Sequence, residues 1–173
     1  MSAPAKSSRI GEPVRRKEDL RLISGKGRFS DDVNFPGQAY AVMLRSPHAH
    51  ARIRSMDTRK ALSVPGVIQV LTGADLLADG IKPMPHVAQS SHPAEPALDN
   101  PPGFKAFDTP QHPLAIDRVR FVGEAVAVVV ADTVNNAKDG AEQIEIDYEI
   151  LPSVTATLAA ARPGAPRLWD DSA

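Results

Sequence analysis

Residues 119–150 read VRFVGEAVAVVVADTVNNAKDGAEQIEIDYEI, and three different periods follow one another inside this stretch. The run Val119 to Ala131 is almost wholly apolar and rich in valine. It predicts one bent strand or two, broken at Gly123-Glu124. Asp132 or Thr133 then offers a side-chain oxygen to cap a helix. In that helix Val134, Ala137, Ala141 and Ile144 recur at spacings of three, four and three and so share one face. From Ile144 the period drops to two. Ile144, Ile146, Tyr148 and Ile150 alternate with Glu145, Asp147 and Glu149, the pattern of a strand with one buried and one wet face. Leu151-Pro152 ends it.

The segments on the N-terminal side follow the same logic. Gln38 to Arg45 carries Tyr40, Val42 and Leu44 on one face and Ala41 and Met43 on the other, so it predicts a central strand. Arg52 to Met56 is a weaker strand. Thr58 is placed to cap a short helix through Leu62 that Pro65-Gly66 closes. Val67 to Leu71 is a β-branched strand, and Thr72 can cap a turn over Asp75-Leu76-Leu77. Further upstream, a short helix near Lys17 to Ser24 should end at Gly25, the residue best suited to a left-handed position after a helix. Gly27 and Ser30-Asp31-Asp32 mark a loop, and Phe35-Pro36-Gly37 a turn. Strands and short helices interleave without a regular βαβ rhythm or an internal repeat. The fold class is therefore α+β, with a mixed sheet and short helices.

Two segments break the pattern. Lys82 to Pro113 is proline-rich and aperiodic, too long for an ordinary connection inside a compact domain, and is expected to wrap over a surface belonging to something else. Ser153 to Ala173 holds a short alanine-rich helix and then Arg162-Pro163-Gly164-Ala165-Pro166, which reads as a linker. The expected organisation is a loose tail over 1–9, a domain over 10–152 and a linker over 153–173.

Composition excludes several kinds of chemistry. The chain has 173 residues, 20 basic and 21 acidic side chains and a net charge of -1, which is no footprint for nucleic acid. It has no cysteine, so disulfides, iron–sulfur ligation and thiol catalysis are ruled out for these residues. The longest apolar run, Ala125 to Ala131, falls far short of the ~20 residues of a membrane-spanning helix. Met1 to Ser8 lacks an apolar signal core. A cytoplasmic protein is expected.

The individual motifs weigh towards plain structural roles. His48 and His50 are two apart and, on a strand, would face one side, but a closed metal site needs about four ligands and none is near in sequence. Gly25-Lys26-Gly27-Arg28 lacks the spacing of a phosphate loop and the strand that feeds one. Asp31-Asp32 lacks the alternating acids and terminal glutamate of a calcium loop. Glu145, Asp147 and Glu149 are expected on a solvated strand face. Glu124, flanked by apolar residues, is the most tempting candidate for a base, and a turn glutamate between two strands is the reading favoured. No catalytic, cofactor-binding or metal-binding residue is assigned.

Taken in order, these segments resemble the start of the large, molybdopterin-binding subunit of the xanthine dehydrogenase and aldehyde oxidase family, which includes carbon monoxide dehydrogenase. The matching blocks are Ile10-Gly11-Glu12-Pro13-Val14 with Glu18-Asp19 and Leu22, Gly25-Lys26-Gly27-Arg28-Phe29 with Asp31-Asp32, and Tyr40-Ala41. They continue with Leu44-Arg45-Ser46-Pro47-His48-Ala49-His50-Ala51, Pro65-Gly66-Val67 and Leu71-Thr72-Gly73. Val119-Arg120-Phe121-Val122-Gly123-Glu124 and Ile146-Asp147-Tyr148-Glu149 with Leu151-Pro152 complete the series.

The resemblance implies an α/β-hammerhead domain, structural and not catalytic alone, that is either a fragment or a separately encoded part of a molybdenum hydroxylase. In the family such an enzyme oxidises an aldehyde, a heterocycle or a similar small substrate with water as the oxygen source. It further implies molybdenum held by molybdopterin cytosine dinucleotide in the complete large subunit, with FAD and [2Fe-2S] clusters in partner subunits. The family's pterin-binding segments and catalytic glutamate lie beyond this region. Gly123-Glu124 superficially echoes the catalytic motif, but the resemblance implies that motif near the far end of the full subunit, and Ala125 stands where it would have proline, which weighs against Glu124 as a catalyst. The alternative function is a stand-alone binding or scaffold module on the same fold.

Overall fold

The computed structural model describes Gly11, Pro13, residues 15–84 and residues 109–169. These fall into two units, Met1–Gln38 and Ala39–Ala173. In the first, α1 (Asp19–Ile23) ends as expected. Gly25 takes φ +70°, and the Lys26 N–H donates back to the Arg21 carbonyl at 2.9 Å, closing the last turn. Asp32 sits in a 3-10 turn, Ser30–Asp32, and its carboxylate accepts from the Phe29 N–H at 2.9 Å. It caps the turn. No residue of α1 or of the 3-10 turn is buried.

The second unit holds two three-stranded sheets. The first, in the order β1-β5-β3, joins β1 (Tyr40–Arg45), β5 (Ala125–Ala131) and β3 (Val67–Thr72). The second, in the order β4-β2-β6, joins β4 (Arg118–Val119), β2 (Ala51–Asp57) and β6 (Glu145–Ile150). All four pairings are antiparallel. The α+β class holds, but the expected mixed sheet resolves into two antiparallel ones. A parallel pair needs a crossover of a dozen or more residues returning to the same sheet, whereas each connection here passes to the other sheet instead. Odd-numbered strands form one sheet and even-numbered strands the other.

The run Val119 to Ala131 is two strands, as its Gly123-Glu124 break implied, and they belong to different sheets. Gly123 makes the turn at φ +89°. β5 is the central strand of its sheet, while β1, expected to be central, lies at an edge and pairs only with β5 among the described strands. Its burial alternates, with Met43 46 % exposed. The apolar outer face of β1 misled the reading because Met43 lines a groove instead of a second core layer.

α4 (Val134–Glu142) is capped by Thr133, whose hydroxyl accepts from the Asn136 N–H at 3.1 Å. Ala137, Gly140 and Ala141 are its buried residues; Val134, expected on the same face, is exposed at the first turn. The helix lies across β1 and β5. A Cβ on Gly140 would meet Val67 Cγ2 at 2.8 Å and Val129 Cγ1 at 3.0 Å, so the small residue is what permits this close approach. Ala61 of α2 (Arg59–Leu62), Ala127, Val129, Ala141 and Ile144 form one core. Ala51, Ala115, Val119 and Val126 form a second. Leu44, Met56 and Ile146 pack against both.

Two further expectations are corrected. Thr58 makes no side-chain cap. The Asp57 carboxylate instead accepts from the Arg59 N–H at 3.0 Å and pairs with its guanidinium at 2.6 Å, because it lies one residue nearer the sheet. Ile150 is 69 % exposed rather than buried, and no described residue covers it. Thr72 does cap, over a longer α3 (Gly73–Ala78) than the single turn expected. The alanine-rich segment forms α5 (Thr157–Ala160). Most of the proline-rich stretch from Lys82 to Pro113 lies outside the described residues. At its ends Met84 and Gln111 form an antiparallel bridge.

Candidate functional site

The segments between the sheets carry three of the residues singled out above, His48, His50 and Glu124. Ser46 leads the chain from β1 towards β2, and Gly123-Glu124 leads it from β4 to β5. These crossovers clamp each other. The Ser46 N–H donates to the Glu124 carbonyl at 2.9 Å, the Gly123 N–H donates to the Ser46 carbonyl at 2.8 Å, and Arg45 Nη1 donates to the Gly123 carbonyl at 2.8 Å. The Glu124 carboxylate turns inward and accepts from the Arg120 N–H. It satisfies an otherwise orphaned turn donor, the role of a turn glutamate.

His48 and His50 are not on a strand. They lie in the crossover before β2 and do different things. The ring of His48 meets Tyr148 edge-on, with centroids 4.9 Å apart at 71°, a favourable aromatic geometry. His50 is buried, and its Nδ1 lies 2.9 Å from the Pro152 carbonyl. A carbonyl can only accept, so Nδ1 carries the proton. Nε2 is buried with no hydrogen-bond partner among the described residues. Ser46, also buried, accepts from the His48 N–H at 3.0 Å. Burial pushes the Tyr148 phenol above its ordinary value, with the Ser46 hydroxyl acting the other way. The two imidazoles thus fasten the crossover to β6 and to the segment after it. No group of three or more His, Cys, Asp or Glu poised for a metal occurs among the described residues.

The acidic face of β6 is solvated and partly neutralised across the sheet. Glu149 pairs with Arg54 at 3.5 Å, and Glu145 with Lys60. The Arg59 guanidinium holds the Asp57 carboxyl well below the usual carboxylate range. At the head of α3 the Thr72 hydroxyl and N–H donate to the Asp75 carboxylate at 2.6 and 2.8 Å, lowering it too.

A groove of about 500 Å³ lies beside β1, walled by Met43, Arg45, Met84, Phe121, Glu124 and Trp169 among others. Sequence reasoning did not find it. Met43 alone hinted at it, by being apolar on the wrong face of its strand. Arg120 and Trp169 are 49 positions apart, with no periodic signal to relate them, yet the guanidinium carbon of Arg120 stands 3.7 Å over the Trp169 ring. Arg120 Nε donates to the Leu168 carbonyl at 3.2 Å. Three charged groups of the groove are engaged with the protein's own backbone and rings: Arg45 with Gly123, Glu124 with Arg120, and Arg120 with Leu168 and Trp169. A pterin or metal–pterin group needs several convergent polar groups directed into its pocket, and this lining is a poor fit to one. No described helix is long and apolar enough to cross a membrane.

Comparison with known proteins gives these features a setting. The family described as "Aldehyde oxidase and xanthine dehydrogenase, a/b hammerhead domain" matches residues 24–152. The carbon monoxide dehydrogenase large chain of Afipia carboxidovorans is 40 % identical over 162 residues, which cover 94 % of this chain and 18 % of that one. The nicotine 6-hydroxylase large subunit of Paenarthrobacter nicotinovorans is 37 % identical over 155 residues, covering 88 % and 17 %. The crystal structure of a Cu,Mo-CO dehydrogenase in its carbon monoxide reduced state superposes with a TM-score of 0.75 at 39 % identity, over 92 % of this chain and 18 % of that one. The chain spans less than a fifth of the length of these proteins.

Proposed function

The chain belongs to the a/b hammerhead domain family of the aldehyde oxidases and xanthine dehydrogenases, and from that premise we propose that it is the structural N-terminal domain of a molybdenum hydroxylase large subunit, not catalytic by itself. Residues 10–152 make up the domain, and 153–173 lead towards the catalytic part. The complete enzyme is a cytoplasmic oxidoreductase acting on an aldehyde, a heterocycle or a similar small substrate, with water as oxygen source. Molybdenum and molybdopterin cytosine dinucleotide belong to the remainder of the large subunit, FAD and [2Fe-2S] clusters to partner subunits.

One observation carries this reading: 94 % of the chain aligns with only 18 % of a large chain. The groove supports it, since its charged groups are already bonded internally. The charged residues of the groove, bonded within the protein, are a poor fit to a metal–pterin group. What they do is hold two sheets and two crossovers in a fixed relation, which suits a platform.

The test is co-expression of the chain with the rest of a large subunit and its flavin and iron–sulfur partners, followed by affinity purification and elemental analysis. A molybdenum-containing complex that retains the chain is expected, and the chain purified alone should carry no molybdenum and reduce no acceptor dye. Substrate oxidation by the isolated polypeptide would refute the proposal. A stable monomer that ignores every partner would favour a stand-alone scaffold.

A further inference from the structure

The groove beside β1 has the character of an unfinished surface. Met43, Met84 and Phe121, which line it, are 46 %, 51 % and 57 % exposed, a clustering of large apolar side chains that marks a contact surface more often than a finished exterior. β1 adds a second feature. Among the described residues it has a strand partner on one edge only, and its outward side chains alternate with the inward ones as exposed positions, with Met43 and Arg45 forming part of the groove wall.

The third feature is how the chain reaches this place. Leu168 and Trp169 form part of the groove wall. They are held by the Arg120 guanidinium, stacked 3.7 Å over the indole and bonded to the Leu168 carbonyl. The tail is thus fastened here and not free, and whatever polypeptide continues beyond it begins at the groove. In the relatives, more than four-fifths of the large chain lies outside the matching region.

We infer that this groove receives polypeptide from the catalytic portion of the large subunit, whose apolar side chains pack against Met43, Met84 and Phe121. The inference rests on the proposed function and adds the surface and the chemistry of the partner. The occupant is polypeptide and not a cofactor, because large apolar side chains are the exposed contact the groove offers and its charged groups Arg45, Glu124 and Arg120 already bond within the protein. A second copy of this chain is the competing occupant.

Hydroxyl-radical footprinting with mass spectrometry separates these cases. The 173-residue chain is compared alone, at low and high concentration, and joined in frame to the downstream part of the Afipia carboxidovorans large chain. Oxidation of Met43 and Met84 should fall at least about tenfold in the joined protein, as for side chains moved into a packed interface. Exposed Ile68 and Leu77 serve as references. Unchanged Met43 and Met84 rates in a joined protein that does assemble with molybdenum would overturn the groove assignment and leave the proposed function standing. Failure to assemble, with unchanged rates, would overturn both. Protection that rises with concentration in the chain alone would assign the groove to self-association instead. Phe121→Asp, at an exposed position, should abolish the protection without changing the thermal midpoint of the isolated chain.

Discussion

Replacing Gly140 by alanine sets two effects of opposite sign against each other. Glycine in a helix interior costs about 1 kcal/mol relative to alanine, so propensity alone would stabilise the variant by that amount. The added methyl, however, would stand 2.8 Å from Val67 Cγ2 and 3.0 Å from Val129 Cγ1. Carbon atoms pack at about 3.5–4.0 Å, so α4 would have to rise by roughly half an ångström or the valines move. Val129 is fully buried in the core and cannot give way; β-branched Val67 has few alternative rotamers. Overpacking of this kind costs about 1–3 kcal/mol. The net expectation is a loss of about 1 kcal/mol, a downward shift of roughly 0.5 M in the urea midpoint for a slope of about 2 kcal/mol per M.

A double-mutant cycle isolates the contact. Val67→Ala removes the offending methyl and by itself costs about 1 kcal/mol at this half-buried site. Combined with Gly140→Ala it should be less destabilising than the sum of the two, with a coupling of about 1 kcal/mol or more. A Gly140→Ala variant whose midpoint rises by the full propensity gain, or a cycle that is strictly additive, would refute the close approach of α4 to its sheet.

Other perturbations test separate parts of the molecule. Thr72→Ala removes the one hydroxyl that both accepts from the Asp75 N–H and donates to the Asp75 carboxylate, and should lower stability by about 1 kcal/mol in urea titration. Because the Asp75 carboxyl is held below its ordinary value when folded, its contribution is present above about pH 4 and lost as pH falls through the lowered value. The difference between wild type and Asp75→Asn should therefore shrink on the acid side, and a difference that grows there would contradict the assignment. Arg120→Ala strips the cation from the face of Trp169. Since that is the chain's only tryptophan, its emission should shift and the tail past Ala161 should be cut faster by protease, at a cost of at most about 1 kcal/mol. His50→Ala removes a buried donor to the Pro152 carbonyl and should destabilise by about 2–3 kcal/mol, while added zinc should leave the wild-type thermal midpoint unmoved.

How far the letters alone reached depends on the range of the interaction concerned. The period-two run of β6, the break at Gly123 and the caps at Thr72 and Thr133 are local events, and each is legible because a few neighbouring residues decide it. Which strand lies at an edge is not local. Met43 and Ala41 are apolar in either position, so the reading of β1 as central failed where pairing decided the outcome. The histidines illustrate the same limit: their spacing invited a shared role, and only the placement of Tyr148 and Pro152 separated them. The groove was invisible for a related reason, since Arg120 and Trp169 meet across a chain separation that no periodicity encodes.

The alternation of odd strands in one sheet and even strands in the other has a kinetic corollary. Among the described strands, no two that are adjacent in sequence are paired in space, so no hairpin of these strands can form early and act as a seed. Each ladder must wait for loop closure around an intervening strand of the opposite sheet, a topology of high contact order that orders slowly and as a whole. Until β6 is in place, β2 has only the two residues of β4 as a neighbour, so a chain released before its final strand would present an open, sticky edge.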